Sequence, residues 1–139
     1  MKISIINGPN LNLLGKREPA VYGNKEFEVY LTELRLKFPE IELKYFQSNI
    51  EGEIIDELQK DGFSSDGILI NPGGYTHTSV AIGDAIAAIQ APAVEIHISN
   101  IQAREEFRKI SHISAKCKGT IAGLGLAGYE LGIRYFLRK

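Results

Sequence analysis

A chain of 139 residues with 16 basic and 17 acidic side chains, a formal net charge of −1 and no long block of either sign has room for one core, so a single domain over 1–139 is expected. That charge balance excludes nucleic acid and anionic membrane as main partners, while the start, Met-Lys followed at once by ISII, and the lack of a long apolar stretch point to a cytoplasmic protein. The one cysteine, Cys117, excludes an internal disulfide and has no neighbouring Cys or His at metal-ligand spacing, so a passive thiol, no metal and no cofactor are expected.

The first apolar run, KISIIN at 2–7, is nearly continuous, as a strand covered on both faces should be. After it comes NGPNLNLLGKREPAVYG at 7–23, much longer than the usual connection of about 4–6 residues. Beyond Asn24, a candidate N-cap, Phe27, Tyr30, Leu31, Leu34 and Phe38 recur at helical spacing until Pro39 stops the pattern. A strand at 41–47, a helix at 51–60 with Ile54, Ile55 and Leu58 inward, a strand at 67–71 and a helix at 77–90 follow. Then come a strand at 93–99, a short helix at 103–108, a strand at 120–123 and a closing helix after Leu124. Lys44, in the second strand, reads as an exposed edge position. This alternation predicts an α/β fold: a flavodoxin-like, doubly wound, five-stranded parallel sheet in a three-layer α/β/α arrangement.

Ligands of such sheets sit beyond the carboxyl ends of the strands. Asn7, Asn10, Arg17, Tyr22, Asn71, His77, His97, Ser99 and Arg108 all reach that edge. Turn chemistry accounts for the Asn, Gly, Pro and Ser residues there, but not for two histidines, two arginines and a tyrosine. Glu95 lies two positions before His97 in a predicted strand, so both side chains face the same way and the carboxylate is placed to orient the imidazole. A flavin-binding flavodoxin would need a hydroxyl-rich phosphate loop after the first strand, and a receiver module would need acidic residues where Asn7 and Asn71 stand. Metal-dependent hydrolysis would have to be built from His77, Asp84 and His97 without any H-E-x-x-H pair.

Four stretches, NGPNLNLLGKREPAVYG, QSNIEGEIID, INPGGYTHTSVAIGDAI and VEIHISNIQAREEFR, resemble the successive motifs of the type II 3-dehydroquinate dehydratases. The resemblance implies dehydration of 3-dehydroquinate to 3-dehydroshikimate in the shikimate pathway, through an enolate and without a Schiff base. It implies Tyr22 as the base with Arg17 as its cation, Asn10 holding a water for the enolate oxygen, and His97 as the acid supported by Glu95. Asn71 and the backbone of Ile98 and Ser99 are the implied carboxylate ligands, and His77, Arg108 and Asp84 the implied hydroxyl ligands. Gly74, Gly83 and His112 depart from the family pattern, where alanine, a larger residue and tyrosine are usual. The helix VAIGDAIAAIQA carries Asp84 as its only charge, so a neighbouring subunit is expected to cover one of its faces, with that subunit's Arg108 as the partner of Asp84. The resemblance agrees, implying a homododecamer of trimers in which Asp84 completes a neighbour's site.

Overall fold

The protein, described by a computed structural model, is resolved in detail over residues 1–16 and 18–138; Arg17 and Lys139 lie outside the described residues. Strands β1 (Lys2–Asn7), β2 (Glu42–Gln47), β3 (Gly67–Asn71), β4 (Ala93–His97) and β5 (Thr120–Ala122) form one sheet in the order β2-β1-β3-β4-β5, all parallel. Among the described residues the α-helices are α1 (Pro19–Tyr22), α2 (Phe27–Lys37), α3 (Glu51–Asp61), α4 (Val80–Ala88) and α5 (Ala127–Leu137). Side chains alternate across the sheet. Ile3, Ile5, Leu69 and Ile96 pack with Phe27, Leu34, Tyr129 and Ile133 of α2 and α5, whereas Ile6, Ile68 and Ile70 pack with Ile54, Leu58, Ile82 and Ile86 of α3 and α4. The sheet is therefore the doubly wound, flavodoxin-like layer expected from the sequence. Its strand order reverses beside β1, so the crevice between the carboxyl ends of β1 and β3 is the topological switch point.

Local chemistry redraws several boundaries. The helix expected at 77–90 is two pieces: Gly73–His77 is a 3-10 turn, and α4 starts only after Ser79, whose Oγ accepts from Ile82 N–H at 3.0 Å. His77 and Asp84 therefore do not share a helix. α2 starts after Glu26 and not after Asn24. The helix expected at 103–108 is replaced by two 3-10 turns, Ile101–Ala103 and Glu106–Lys109, with Arg104 extended between them at φ −109° and ψ −160°. Asn100 Oδ1 caps the first turn by accepting from Gln102 N–H at 3.1 Å. Lys44 is not an exposed edge residue: its ammonium donates to Asp61 Oδ1 at 2.6 Å and also binds Glu57, so it neutralises carboxylates that α3 buries. No helix among the described residues is long and apolar enough to cross a membrane.

Two glycines set how closely the loops at the switch point approach. A Cβ on Gly8 would lie 2.4 Å from the Pro72 carbonyl oxygen, so the loops after β1 and β3 can cross only with glycine there. Gly83 meets the His112 carbonyl in the same way, at 2.5 Å from an added Cβ, so two of the departures from the family pattern touch each other. At Gly74 a Cβ would meet open space.

Candidate active site

Five segments converge beyond the switch point. The turn after β1 brings Asn10, held in the left-handed region at φ 69°, with its N–H donating to Asn49 Oδ1 at 3.0 Å. α1 brings Tyr22, the end of β3 brings Asn71, and the Gly73–His77 turn brings His77. The end of β4 and its turns bring His97, Ile98, Ser99 and Arg108. All eight line one cavity of about 120 Å³. Glu95 stands behind His97, fully buried, and Asp84 is exposed on α4, outside the lining of this chain's own cavity. Arg17 falls outside the described residues.

The β4 end carries a buried, hydrogen-bonded glutamate–histidine pair. Glu95 Oε1 lies 2.6 Å from His97 Nε2, as their spacing along one strand requires. The carboxylate also accepts from Ser111 at 3.1 and 3.3 Å, from Thr120 at 3.1 Å and from Ser114. Burial pushes the Glu95 carboxyl up, but His97 and the serine hydroxyls outweigh it and hold the group below its usual range. With Nε2 directed at Glu95, the proton that His97 has for the cavity is carried on Nδ1. His77 sits with its ring centroid 6.3 Å from that of His97, and its Nδ1 donates to the Ile110 carbonyl at 2.7 Å. Burial lowers its pKa, favouring a neutral ring whose Nε2 is an acceptor.

At the opposite wall is a residue the sequence reading passed over. Arg104 Nη1 donates to the Tyr22 hydroxyl at 3.0 Å and to Ser99 Oγ at 3.1 Å, and the guanidinium carbon lies 5.7 Å from the Tyr22 ring centroid. The signal was its place four residues before Arg108 in the same motif, but the role depends on the extended kink at Arg104. Arg108 pairs with Glu105 and lies 5.0 Å over the Phe107 ring, which in turn meets His77 at 6.0 Å.

The sequence model of the family described as dehydroquinase class II matches residues 1–137. The chain belongs to this family. It is 54% identical over 134 residues to the 3-dehydroquinate dehydratase of an Exiguobacterium species, covering 96% of this chain and 92% of that protein. The crystal structure of the type II dehydroquinase from Butyrivibrio crossotus superimposes with a TM-score of 0.93 at 49% identity, covering 99% of this chain and 97% of the other. That of the Propionibacterium acnes enzyme does so with a TM-score of 0.94 at 38% identity, with the same coverage. In this class II dehydroquinase Cys117 lies beneath the site. Burial, aided by the charge of Glu95, pushes its thiol up to about 12, which keeps it protonated and inert.

Proposed function

We propose that this class II dehydroquinase removes water from 3-dehydroquinate with Tyr22 as the base and His97 as the acid. The observation that carries the reading is that the Tyr22 hydroxyl, the Arg104 guanidinium and His97 line one cavity. A phenol with a pKa near 10 is a weak base at neutral pH unless a cation stabilises the phenolate. Arg104 supplies one hydrogen-bonded cation, and by the family motif Arg17 is assigned as a further cation for the phenolate. Tyr22 takes a proton from the carbon beside the ketone, the enolate oxygen is met by a water held by Asn10, and the hydroxyl then leaves with the proton of His97. No covalent enzyme intermediate is needed, and the product is 3-dehydroshikimate. Glu95, hydrogen-bonded to Nε2, keeps the imidazole aligned. Asn71 and the backbone N–H groups of Ile98 and Ser99 bind the carboxylate. Neutral His77 accepts from a ring hydroxyl, and Arg108 donates to another.

The same reading includes trimers assembled into a dodecamer, with Asp84 donated to the neighbour's cavity beside Arg108. It is supported by the outer face of α4, where Val80, Ala81, Asp84, Ala87 and Ala88 are all exposed in the isolated chain: a stripe of small apolar residues around one carboxylate suits burial by a second copy. The test adds 3-dehydroquinate and follows the ultraviolet absorbance of the conjugated enone. Absorbance grows at a rate proportional to protein, with and without a chelator. A well-folded preparation that produces none overturns the reading.

A further inference from the structure

At the switch point Asn7 and Asn71 occupy paired positions on β1 and β3, and α5 links them. Asn71 Nδ2 donates to the Tyr129 hydroxyl at 3.1 Å, and that hydroxyl donates to Asn7 Oδ1 at 2.8 Å. Exposure is 3% at Asn71 and 0% at Asn7 and Tyr129. At the other side of the Asn71 amide, Gly73 N–H donates to Oδ1 at 3.2 Å. A backbone N–H has no capacity to accept, so the Asn71 atom facing Gly73 is the oxygen and the atom facing Tyr129 is the nitrogen. Tyr129 then accepts from Asn71, and its single proton goes to Asn7. Burial raises the Tyr129 pKa far above the ordinary phenol value, so that proton stays in place. The Gly73 N–H and the Tyr129 hydroxyl thereby hold the two ends of the Asn71 amide between them. Of the two amide protons of Asn71, one is committed to Tyr129, and the second is what Asn71 offers the cavity it lines.

We infer that Tyr129 is a specificity-determining positioning residue: it holds the Asn71 amide with a donor toward the cavity, and so selects a ligand that places an acceptor there, the substrate's carboxylate. This rests on the proposed role of Asn71 as a carboxylate ligand. Tyr129 touches no substrate and acts only through Asn71.

The test replaces Tyr129→Phe in the full chain, with Asn7→Ala and Asn71→Ala beside it. Tyr129→Phe should raise KM about tenfold, the effect of misaligning one hydrogen bond to a charged group, with kcat changed less than about threefold. Inhibition by a ring carboxylate lacking the ketone should weaken by a similar factor, while inhibition by the analogue with a methyl group in place of the carboxylate, which offers no acceptor, should hardly move. A purely structural tyrosine would lower Tm and leave KM and that discrimination unchanged. Should Tyr129→Phe fail to fold, Asn7→Ala carries the test. Asn7 lies outside the cavity lining, yet its loss frees the Tyr129 proton to turn toward Asn71, and KM should rise several-fold. If Asn71→Ala raises KM while folded Tyr129→Phe or Asn7→Ala leaves it unchanged, the inference falls and the role of Asn71 stands. If Asn71→Ala leaves KM unchanged, both fall.

Discussion

The two walls of the cavity are built in opposite ways. The wall of the proposed acid belongs to the sheet: Glu95 and His97 are buried at 0% and 5% exposure, two positions apart on β4, with three hydroxyls closing around the carboxylate. The wall of the proposed base belongs to a loop. α1 is a single turn with no buried residue, entered through Glu18 at φ 37°, a left-handed conformation that costs a non-glycine residue energy. Among the ties of Tyr22 to the rest are the Arg104 hydrogen bond across the cavity and packing against the α2–α5 core. The proposed proton donor is thus preorganised by the sheet, whereas the proposed base stands on a short exposed turn with little buried support of its own.

Substitutions on either wall test that contrast, and the largest expected effect is on the loop. Tyr22→Phe should lower kcat by more than about 10³, toward the upper end of what one acid or base contributes, and should leave Tm unchanged because the ring stays and no buried group loses its partner. Steady-state rates and thermal unfolding of the same preparation check both halves. On the sheet wall, Glu95→Gln should lower kcat by about 10² and, unlike the loop variant, should also lower Tm, because a buried acceptor of several donors is altered. It should change the acid limb of stability as well. The folded carboxyl titrates below its ordinary value of 4.5, so the unfolded chain binds the proton first as pH falls. The stabilisation is present above pH 4.5 and is lost as pH drops through the folded pKa. Denaturant midpoints between pH 6 and pH 3 should therefore fall more steeply in the wild type than in Glu95→Gln. The smallest effect is expected for Arg104→Lys. Charge is retained but the fixed guanidinium geometry that lets Nη1 donate to both Tyr22 and Ser99 is lost, so kcat should drop about tenfold with no change in Tm. Arg104→Lys activity equal to wild type would show that charge alone poises the base.

How far the site was legible depends on how each residue is held. Glu95 and His97 could be paired from the sequence because a strand of period two leaves no choice about which side chains share a face. Asn10, Tyr22, Asn71, His77, Ile98, Ser99 and Arg108 could be brought to one edge because parallel strands put all their carboxyl ends together. Arg104 was missed because its direction depends on a kink between two 3-10 turns, and those turns form where a short helix fitted the local pattern equally well. Tyr129 was missed because nothing near it in sequence marks a tyrosine on the inner face of a helix as anything but core.

The sequence by itself determined the layered fold, the strand edge that carries the chemistry and the glutamate–histidine pair, since each follows from periodicity or spacing within a few residues. It took the packed fold to settle that Arg104 reaches Tyr22 across 82 positions and that Tyr129 joins Asn71 to Asn7 over 58 and 122. Contacts at such separations are set by how helices seat on the sheet and by which buried polar groups must find partners, and neither leaves a local trace in the chain.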